Sequence, residues 1–225
     1  MPQVQPFADR TEAGKELAHQ LAHYAGRHVV VLALPRGGVP VGFEIAEALA
    51  ADLDIFLVRK LGMPGHPEFA MGAIASGGVR VLSEDVVRYY GVSRESIEQV
   101  ARAEQAELER REREYRQNHA AVDIRGRTVI LVDDGLATGS TMRAAVEAVR
   151  QKAPARVVVA APVGAPSTCA EFEALADEVV CARMPEPFSA VGLWYRDFSQ
   201  TTDEEVRGLL AEHARRLSTA HPGRA

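Results

Sequence analysis

Short runs of β-branched residues, each followed by a segment with helical periodicity, constrain the fold of this 225-residue chain more than any other feature. The clearest runs are VVVLAL from Val29, TVILV from Thr128 and VVVAA from Val157. Strands that are apolar on both faces are typical of parallel sheets covered on both sides, and parallel neighbours need crossover connections. The alternation therefore predicts an α/β fold with an open, mostly parallel twisted sheet and helices on both faces.

Between the first two of these runs the pattern is less regular. Residues 55–58 form a second apolar run, which predicts the strand that completes a βαβ unit and ends at Arg59 and Lys60. The next stretch, KLGMPGHPEFAMG, contains three glycines and two prolines and is predicted as a loop. Two short segments around Gly77 and Gly78 predict a hairpin. Residues 94–116, which are dense in Glu and Arg, predict one long solvent-facing helix with intrahelical ion pairs.

Length and composition narrow the class of protein. At about 150 residues per domain, the chain fits one domain over residues 1–225, with a core at roughly 27–183 and a small hood and tail from residues 184–225 and 1–25. A net charge of -5 lacks the basic footprint of nucleic-acid binding. We find no apolar stretch for a membrane span and no signal-peptide core, which favours a cytoplasmic protein without membrane contact. Cys169 and Cys181 form no CxxC pair, so neither a disulfide framework nor a cysteine zinc site is expected.

The segment VILVDDGLATGSTM places two kinds of polar group at the end of one buried strand. Asp133 and Asp134 come first, and carboxylates there can accept hydrogen bonds from vicinal hydroxyls or hold Mg²⁺ through water. A helix then begins among Ala137, Thr138, Gly139, Ser140 and Thr141. Successive backbone N–H groups, three hydroxyls and the helix dipole make a phosphate site, which Gly139 lets a ligand approach closely. A sugar phosphate satisfies both features.

Each half of this segment has an ordinary structural explanation when it is taken alone. Two acidic residues after a strand form a turn more often than they form a ligand site. The sequence Thr-Gly-Ser-Thr often serves only to cap a helix. Their combination directly after a buried run favours a ligand site. A Walker A loop is excluded because Gly139 is followed by Ser140 instead of lysine. A hydrolase with an acidic nucleophile lacks its second acid, because Gly135 and Leu136 stand two residues after the pair.

VILVDDGLATGST resembles the phosphoribosyl-diphosphate (PRPP) signature of type I phosphoribosyltransferases, in which four apolar residues and two acids precede Thr-Gly-Ser/Gly-Thr. PRGG after the first strand resembles that family's pyrophosphate loop, which often holds a cis peptide that does not involve a proline nitrogen. RKLGMPG resembles the family's Arg-Lys entry to a mobile loop over the site. The resemblance covers roughly residues 29–165 and implies the type I phosphoribosyltransferase fold, with the three strand-end loops converging on one crevice.

The resemblance also implies roles for individual residues. Asp133 and Asp134 would hold the ribose hydroxyls and, through water, Mg²⁺, while Ala137, Thr138, Gly139, Ser140 and Thr141 would bind the 5-phosphate. Arg36, Gly37, Gly38 and Lys60 would hold the pyrophosphate. The implied activity is Mg²⁺-dependent transfer of the phosphoribosyl group from PRPP to a nitrogen acceptor, a nucleobase, by a homodimer. The alternative is a regulatory protein that binds PRPP without turnover.

Other residues give weaker signals about the acceptor. Alanine at position 137 replaces the aspartate that 6-oxopurine transferases place there, which disfavours hypoxanthine and guanine. Trp194, Tyr195 and Phe198 form either a hood that stacks on a planar base or the core of a small subdomain. Glu68 is either a general acid or base or a solvated loop residue. His19 and His23 have the spacing of a helical metal site, but we predict that they are solvent-exposed.

Overall fold

The structure is a computed structural model that describes residues 5–117 and 119–220. Its strands are β1 (Val29–Ala33), β2 (Asp52–Ile55), β3 (Val58–Met63), β4 (His66–Ala75), β5 (Val79–Leu82), β6 (Thr128–Val132), β7 (Arg156–Val163) and β8 (Glu178–Arg183). Its α-helices are α1 (Arg10–Gln20), α2 (Gly38–Leu49), α3 (Glu84–Tyr89), α4 (Arg94–Arg116), α5 (Ser140–Arg150), α6 (Pro166–Phe172) and α7 (Asp203–Ala220).

A five-stranded sheet in the order β2-β1-β6-β7-β8 forms the centre of the fold, and all of its neighbouring pairs are parallel. Alternate residues of its β-branched strands face opposite sides, so each side needs a cover. Leu17 of α1 and Ile45 of α2 pack on one side, whereas Val146 of α5 and Phe172 of α6 pack on the other. The predicted α/β architecture with helices on both faces is confirmed.

A second, three-stranded antiparallel sheet in the order β3-β4-β5 corrects two predictions. The apolar run at residues 55–58 is not one strand, because the chain leaves the central sheet after Phe56, whose N–H bonds to Ala33 O at 2.9 Å. The predicted loop after Lys60 is the β3-β4 hairpin. Its glycines and prolines mark irregular pairing within that hairpin, where Gly62 approaches Pro67 too closely for a Cβ. The hairpin predicted around Gly77 is confirmed as β4-β5.

Helix α4 spans the predicted residues 94–116 but is not solvent-facing all round. Ile97, Ala101, Leu108 and Tyr115 are buried in a cluster that also contains residues of β3, β4 and α7. The remaining face carries the predicted intrahelical pairs, such as Arg110 with Glu107 and Glu114. A helix rich in charged residues can therefore still bury one narrow apolar face made of a few residues.

Cys169 and Cys181 are joined by one disulfide, although no disulfide framework is expected from the sequence. Cys169 lies on α6 and Cys181 on β8, and both sulfurs pack against Gly164. Their separation of twelve residues in sequence says nothing about this contact, which the β-α-β crossover creates. Among the helices of the described residues, none has the length and apolar character that a membrane crossing requires.

Candidate functional site

The loops after β1 and β6 lie side by side because the two strands are parallel neighbours in register, with Ala33 opposite Val132. Leu34 N–H continues the ladder to Val132 O at 2.8 Å. Beyond it the Pro35–Arg36 peptide is cis, as the resemblance implies. A Cβ on Gly37 would lie 2.0 Å from Asp134 Oδ2, and one on Gly38 would lie 2.6 Å from Val132 O. Only glycine lets the two loops approach this closely.

The acidic pair is partly buried at this junction. Asp133 Oδ1 accepts a hydrogen bond from Asp134 N–H at 2.9 Å. Burial raises the pKa of Asp133 well above its usual range, and the neighbouring charge of Asp134 raises it further. Burial also raises the pKa of Asp134, although Arg10 opposes the shift. Two adjacent acids with raised pKa values in a crevice are typical of a functional site.

Arg10 is the residue of this junction that the sequence does not reveal. Its Nε and Nη2 atoms lie 2.9 and 2.8 Å from Asp134 Oδ2. Asp133 Oδ2 and Asp134 Oδ1 have no hydrogen bond to another described residue, yet neither atom is sealed from solvent. Each acid thus keeps one oxygen open to a ligand. Arg10 stands 124 residues before its partner, and no local motif links the two.

The loop before α5 remains open, as a phosphate site requires. Gly139 caps the helix with φ +69°, and Thr168 Oγ1 fixes the loop from behind by donating to Ala137 O at 2.6 Å. Thr138, Ser140 and Thr141 are exposed. Among the described residues, nothing accepts a hydrogen bond from the backbone N–H groups of 138–141. These free donors at a helix N-terminus are suited to an anion.

The two predicted basic residues lie on different elements. Arg36 follows β1, and its Nη1 lies 3.7 Å from Asp203 Oδ1 at the start of α7. Tyr115 OH donates to the same carboxylate, and burial together with Asp203 raises the pKa of Tyr115 to about 12. Lys60 lies within β3, not in a loop, and pairs with Glu68 Oε2 at 3.3 Å.

Lys60 nevertheless faces the phosphate loop. A cavity of about 490 Å³ separates the β3-β5 sheet from α5, and Lys60, Ser140 and Thr141 all line it. Gly37 and Gly38 touch the acidic pair, so the structure brings these four residues together, whereas the Arg36 side chain pairs with Asp203 instead. The loops after β1 and β6 thus meet at the acidic pair, and β3, in place of the predicted loop, lies across a cavity from the start of α5. A single crevice formed by all three segments stays a prediction.

The aromatic residues of the tail lie behind the acidic pair. Tyr195 is buried beside Phe7 with ring centroids 5.6 Å apart, and its hydroxyl donates to Asp134 O at 2.6 Å. Phe198 stacks on Arg10 at 4.1 Å. Tyr195 thus forms part of a small core rather than an open surface for a base. Trp194 is packed at the edge of the same cluster.

The remaining candidate residues show no site geometry. Glu68 is 97% exposed and contacts Lys60. His23 lies 3.3 Å from Glu178, and His19 is exposed. Within the described part of the chain, no three His, Cys, Asp or Glu side chains gather as a metal site. A metal at the acidic pair would therefore need ligands from water and substrate as well.

Comparisons with known proteins point to one family. The sequence profile described as phosphoribosyl transferase domain matches residues 7–193. Two Mycobacterium tuberculosis proteins, Rv0571c of strain H37Rv and MT0597 of strain CDC 1551, carry the provisional name phosphoribosyl transferase and are 48% identical to this chain over 204 residues. That alignment covers 91% of this chain but 46% of each relative, so the chain spans about half of their length.

A solved structure, that of TT1426 from Thermus thermophilus, is similar throughout. It is 45% identical, its TM-score is 0.83, and the match covers 92% of this chain and 99% of that one. The elements that build the crevice all lie within the profile match, apart from the end of the tail and α7.

Proposed function

The chain belongs to the phosphoribosyl transferase family, and on that premise we propose that it transfers the 5-phosphoribosyl group of PRPP to a nitrogen base and releases pyrophosphate. The observation that carries this proposal is the placement of two ligand-binding elements at one end of β6. Asp133 and Asp134 each keep an oxygen there that no described residue bonds, and no described residue accepts from the N–H groups that begin α5. A pentose phosphate offers hydroxyls to the first element and a dianion to the second.

The reaction exchanges one bond at the anomeric carbon for another. The bond to the pyrophosphate oxygen breaks, the bond to the acceptor nitrogen forms, and pyrophosphate leaves with the electron pair. The acceptor nitrogen gives its proton to water. In an oxocarbenium-like transition state negative charge grows on the leaving group. We propose that Arg36 and Lys60 stabilise this negative charge, because cations positioned where charge develops lower the activation barrier.

The acidic pair and the phosphate loop hold the part of the substrate that does not change. Asp133 and Asp134 accept hydrogen bonds from the ribose hydroxyls, and the loop from Ala137 to Thr141 binds the 5-phosphate. Holding both ends of the pentose orients its anomeric carbon for attack, which is a large source of rate acceleration. Gly37 and Gly38 let the loop after β1 lie directly against the acidic pair, and we assign their backbone to the pyrophosphate.

Mg²⁺ suits this site by the chemistry of its donors. It keeps several waters and binds through one or two carboxylates together with substrate phosphates. Asp133 Oδ2 and Asp134 Oδ1 are the oxygens that would hold it, through water. When bound, the ion neutralises charge on the pyrophosphate.

We propose a planar nucleobase as the acceptor, with adenine and uracil ahead of the 6-oxopurines because position 137 is alanine. The acceptor's own contacts stay a prediction, as does the homodimer. Since the tail aromatics lie behind Asp134, a base cannot stack on Tyr195 in this arrangement.

The test is to combine the protein with Mg²⁺, PRPP and a panel of nucleobases and to measure pyrophosphate release, with Mg·PRPP binding followed by calorimetry. The double variant Asp133→Asn, Asp134→Asn should lose both PRPP binding and pyrophosphate release. The control variant Asp123→Asn, which changes an exposed acid before the start of β6, should keep both activities. Binding without pyrophosphate release for any base would favour the regulatory alternative. Absence of PRPP binding by the wild-type protein would refute the proposal.

A further inference from the structure

Three side chains from the two ends of the chain surround Asp134 on the side away from the phosphate loop. Arg10 comes from α1, and Tyr195 and Phe198 come from the tail; we call these three residues the Asp134 clamp. Arg10 bonds the Asp134 carboxylate, Tyr195 bonds its backbone carbonyl, and Phe198 stacks on Arg10. We propose that Arg10 is a positioning residue that fixes the Asp134 carboxylate for the ribose of PRPP, an inference that rests on the proposed function.

The geometry of the ion pair favours positioning over blocking. Both Arg10 Nε and Arg10 Nη2 bond to the single oxygen Oδ2, at 2.9 and 2.8 Å. A guanidinium that blocked the acid would take both of its oxygens in the usual fork-to-fork pair. Here Asp134 Oδ1 stays open, so the contact orients the carboxylate and leaves a ligand atom free.

Arg10 is itself held too firmly to act as a loosely exchanging counter-ion. Its side chain is 11% exposed, and its third nitrogen, Nη1, donates to Ser199 O at 2.8 Å. Its guanidinium lies 4.1 Å from the Phe198 ring and 5.9 Å from the Tyr195 ring. Stacking and directed hydrogen bonds together define one orientation, which lysine cannot reproduce.

Arg10 also counters the repulsion between two neighbouring acids. Without the Arg10 charge, Asp133 and Asp134 would face each other with no cation at hydrogen-bond distance among the described residues. The Asp134 side chain would then turn away from Asp133, toward solvent. A displacement of about 1 Å in a ligand-orienting group can cost a hundredfold in rate.

The experiment measures calorimetric binding of Mg·PRPP to Arg10→Gln, Arg10→Lys and Arg183→Gln. Arg183 is the matched control, because it also stacks on an aromatic ring, that of Phe7, and pairs with an acid of α1, Glu16, without touching the acidic pair. We expect affinity to fall about tenfold to hundredfold in Arg10→Gln and at least about fivefold in Arg10→Lys. Arg183→Gln should stay within about twofold.

A second variant covers the case in which Arg10→Gln does not fold. Phe198→Leu removes the stacking surface at a 38% exposed position and keeps the ion pair. We expect about threefold weaker binding and little change in the unfolding midpoint.

The outcomes separate this inference from the proposed function. If the wild-type protein does not bind PRPP, both are wrong. If it binds, and Arg10→Gln binds equally well or more tightly, only the role of Arg10 is overturned. Full rescue by lysine would also overturn it, because charge without geometry would then suffice. An equal loss in Arg183→Gln would show that the effect comes from general destabilisation.

Discussion

The two walls of the crevice are built in opposite ways. The acidic wall, residues 133–141, stands at the end of the central parallel sheet, and its principal ion pair is nearly buried, with Asp134 16% and Arg10 11% exposed. The basic wall, the β3-β5 sheet, is an antiparallel appendage whose Lys60 is 46% exposed and pairs with a fully solvated Glu68. Both walls have buried apolar residues, but the ion pair of the acidic wall is buried and that of the basic wall is exposed.

This difference teaches how strongly each wall depends on its exact shape. Removing one partner of a buried ion pair lowers the free energy of unfolding by several kcal/mol, whereas an exposed ion pair contributes about 0–1 kcal/mol to it. The acidic wall should therefore tolerate almost no change, and the basic wall should lose only the contacts that a substitution removes. We rank the following predictions by the size of their expected effects.

The largest effect is expected from Gly37→Ala. The added Cβ would lie 2.0 Å from Asp134 Oδ2. The Asp134 carboxylate cannot retreat, because Arg10 bonds the same oxygen and Tyr195 holds the Asp134 backbone carbonyl. Loss of the acid's orientation should weaken Mg·PRPP binding by about a hundredfold or more, as measured by calorimetry.

Gly208→Ala is the control for this substitution. Gly208 lies in α7, and no atom of residues 5–117 or 119–220 comes within 4 Å of an added Cβ, so binding should not change. The midpoint of urea unfolding should rise slightly, because alanine is favoured over glycine in a helix by up to about 1 kcal/mol. Normal binding by Gly37→Ala would show that the acidic wall is not rigid.

The next effect concerns the basic wall. Lys60→Gln removes a charged donor that we assign to the leaving pyrophosphate, so we expect pyrophosphate release to slow by about tenfold to hundredfold. Most of the loss should be in kcat, because the charge is largest in the transition state. Arg80→Gln, on the same sheet but paired with Glu98 on α4, should retain the wild-type rate. Equal rates for Lys60→Gln and wild type would remove Lys60 from the mechanism.

The same contrast explains which parts of the molecule can be predicted from the sequence. Strands β1, β6 and β7 lie within two residues of the apolar runs that predict them, because buried parallel strands are uninterrupted apolar runs with little ambiguity. The β3-β4 hairpin has the sequence of a loop, because glycine and proline also serve bulges and exposed strands. In the hairpin, tertiary pairing outweighs the local signal.

The candidate site divides along a similar line. Asp133, Asp134 and the phosphate loop are contiguous in sequence, and one motif brings them together. Arg10 and Asp203 reach the site from helices near the two ends of the chain, and no spacing rule connects such distant residues. The disulfide between Cys169 and Cys181 escapes prediction for the same reason, because a crossover connection sets the distance between them.

The two acids of the pair should differ in their effect on stability. Burial raises the pKa of Asp133, so the folded protein holds this proton more tightly than the unfolded chain does. The protonated Asp133 therefore stabilises the folded protein below the ordinary carboxyl pKa. This stabilisation is lost as the pH rises through the raised pKa of the folded state. Asp133→Asn carries no charge at this position, so at pH 8 we expect the variant to be more stable than wild type.

Asp134→Asn should shift stability in the opposite direction, because it leaves the nearly buried Arg10 without its counter-ion. We expect a loss of about 1–2 kcal/mol at pH 8, after allowance for the partial exposure of the pair. Urea unfolding of both variants at pH 5 and pH 8 measures these effects, and the advantage of Asp133→Asn should shrink at the lower pH. A stability change of the same sign in both variants would contradict this description of the acidic wall.

The smallest effect is expected from Glu68→Gln on the basic wall. Glu68 is 97% exposed and contacts Lys60 at 3.3 Å, so their attraction is screened by water and salt. Its removal frees the ammonium group for an anionic ligand, and Mg·PRPP should bind at most about threefold more tightly at low salt, with no difference at about 0.5 M NaCl. Glu147→Gln, which lines the same cavity on α5 without an ion pair to Lys60, is the comparison. A tenfold or larger gain would mean that the basic wall is held as firmly as the acidic one, and the contrast between the walls would then be wrong.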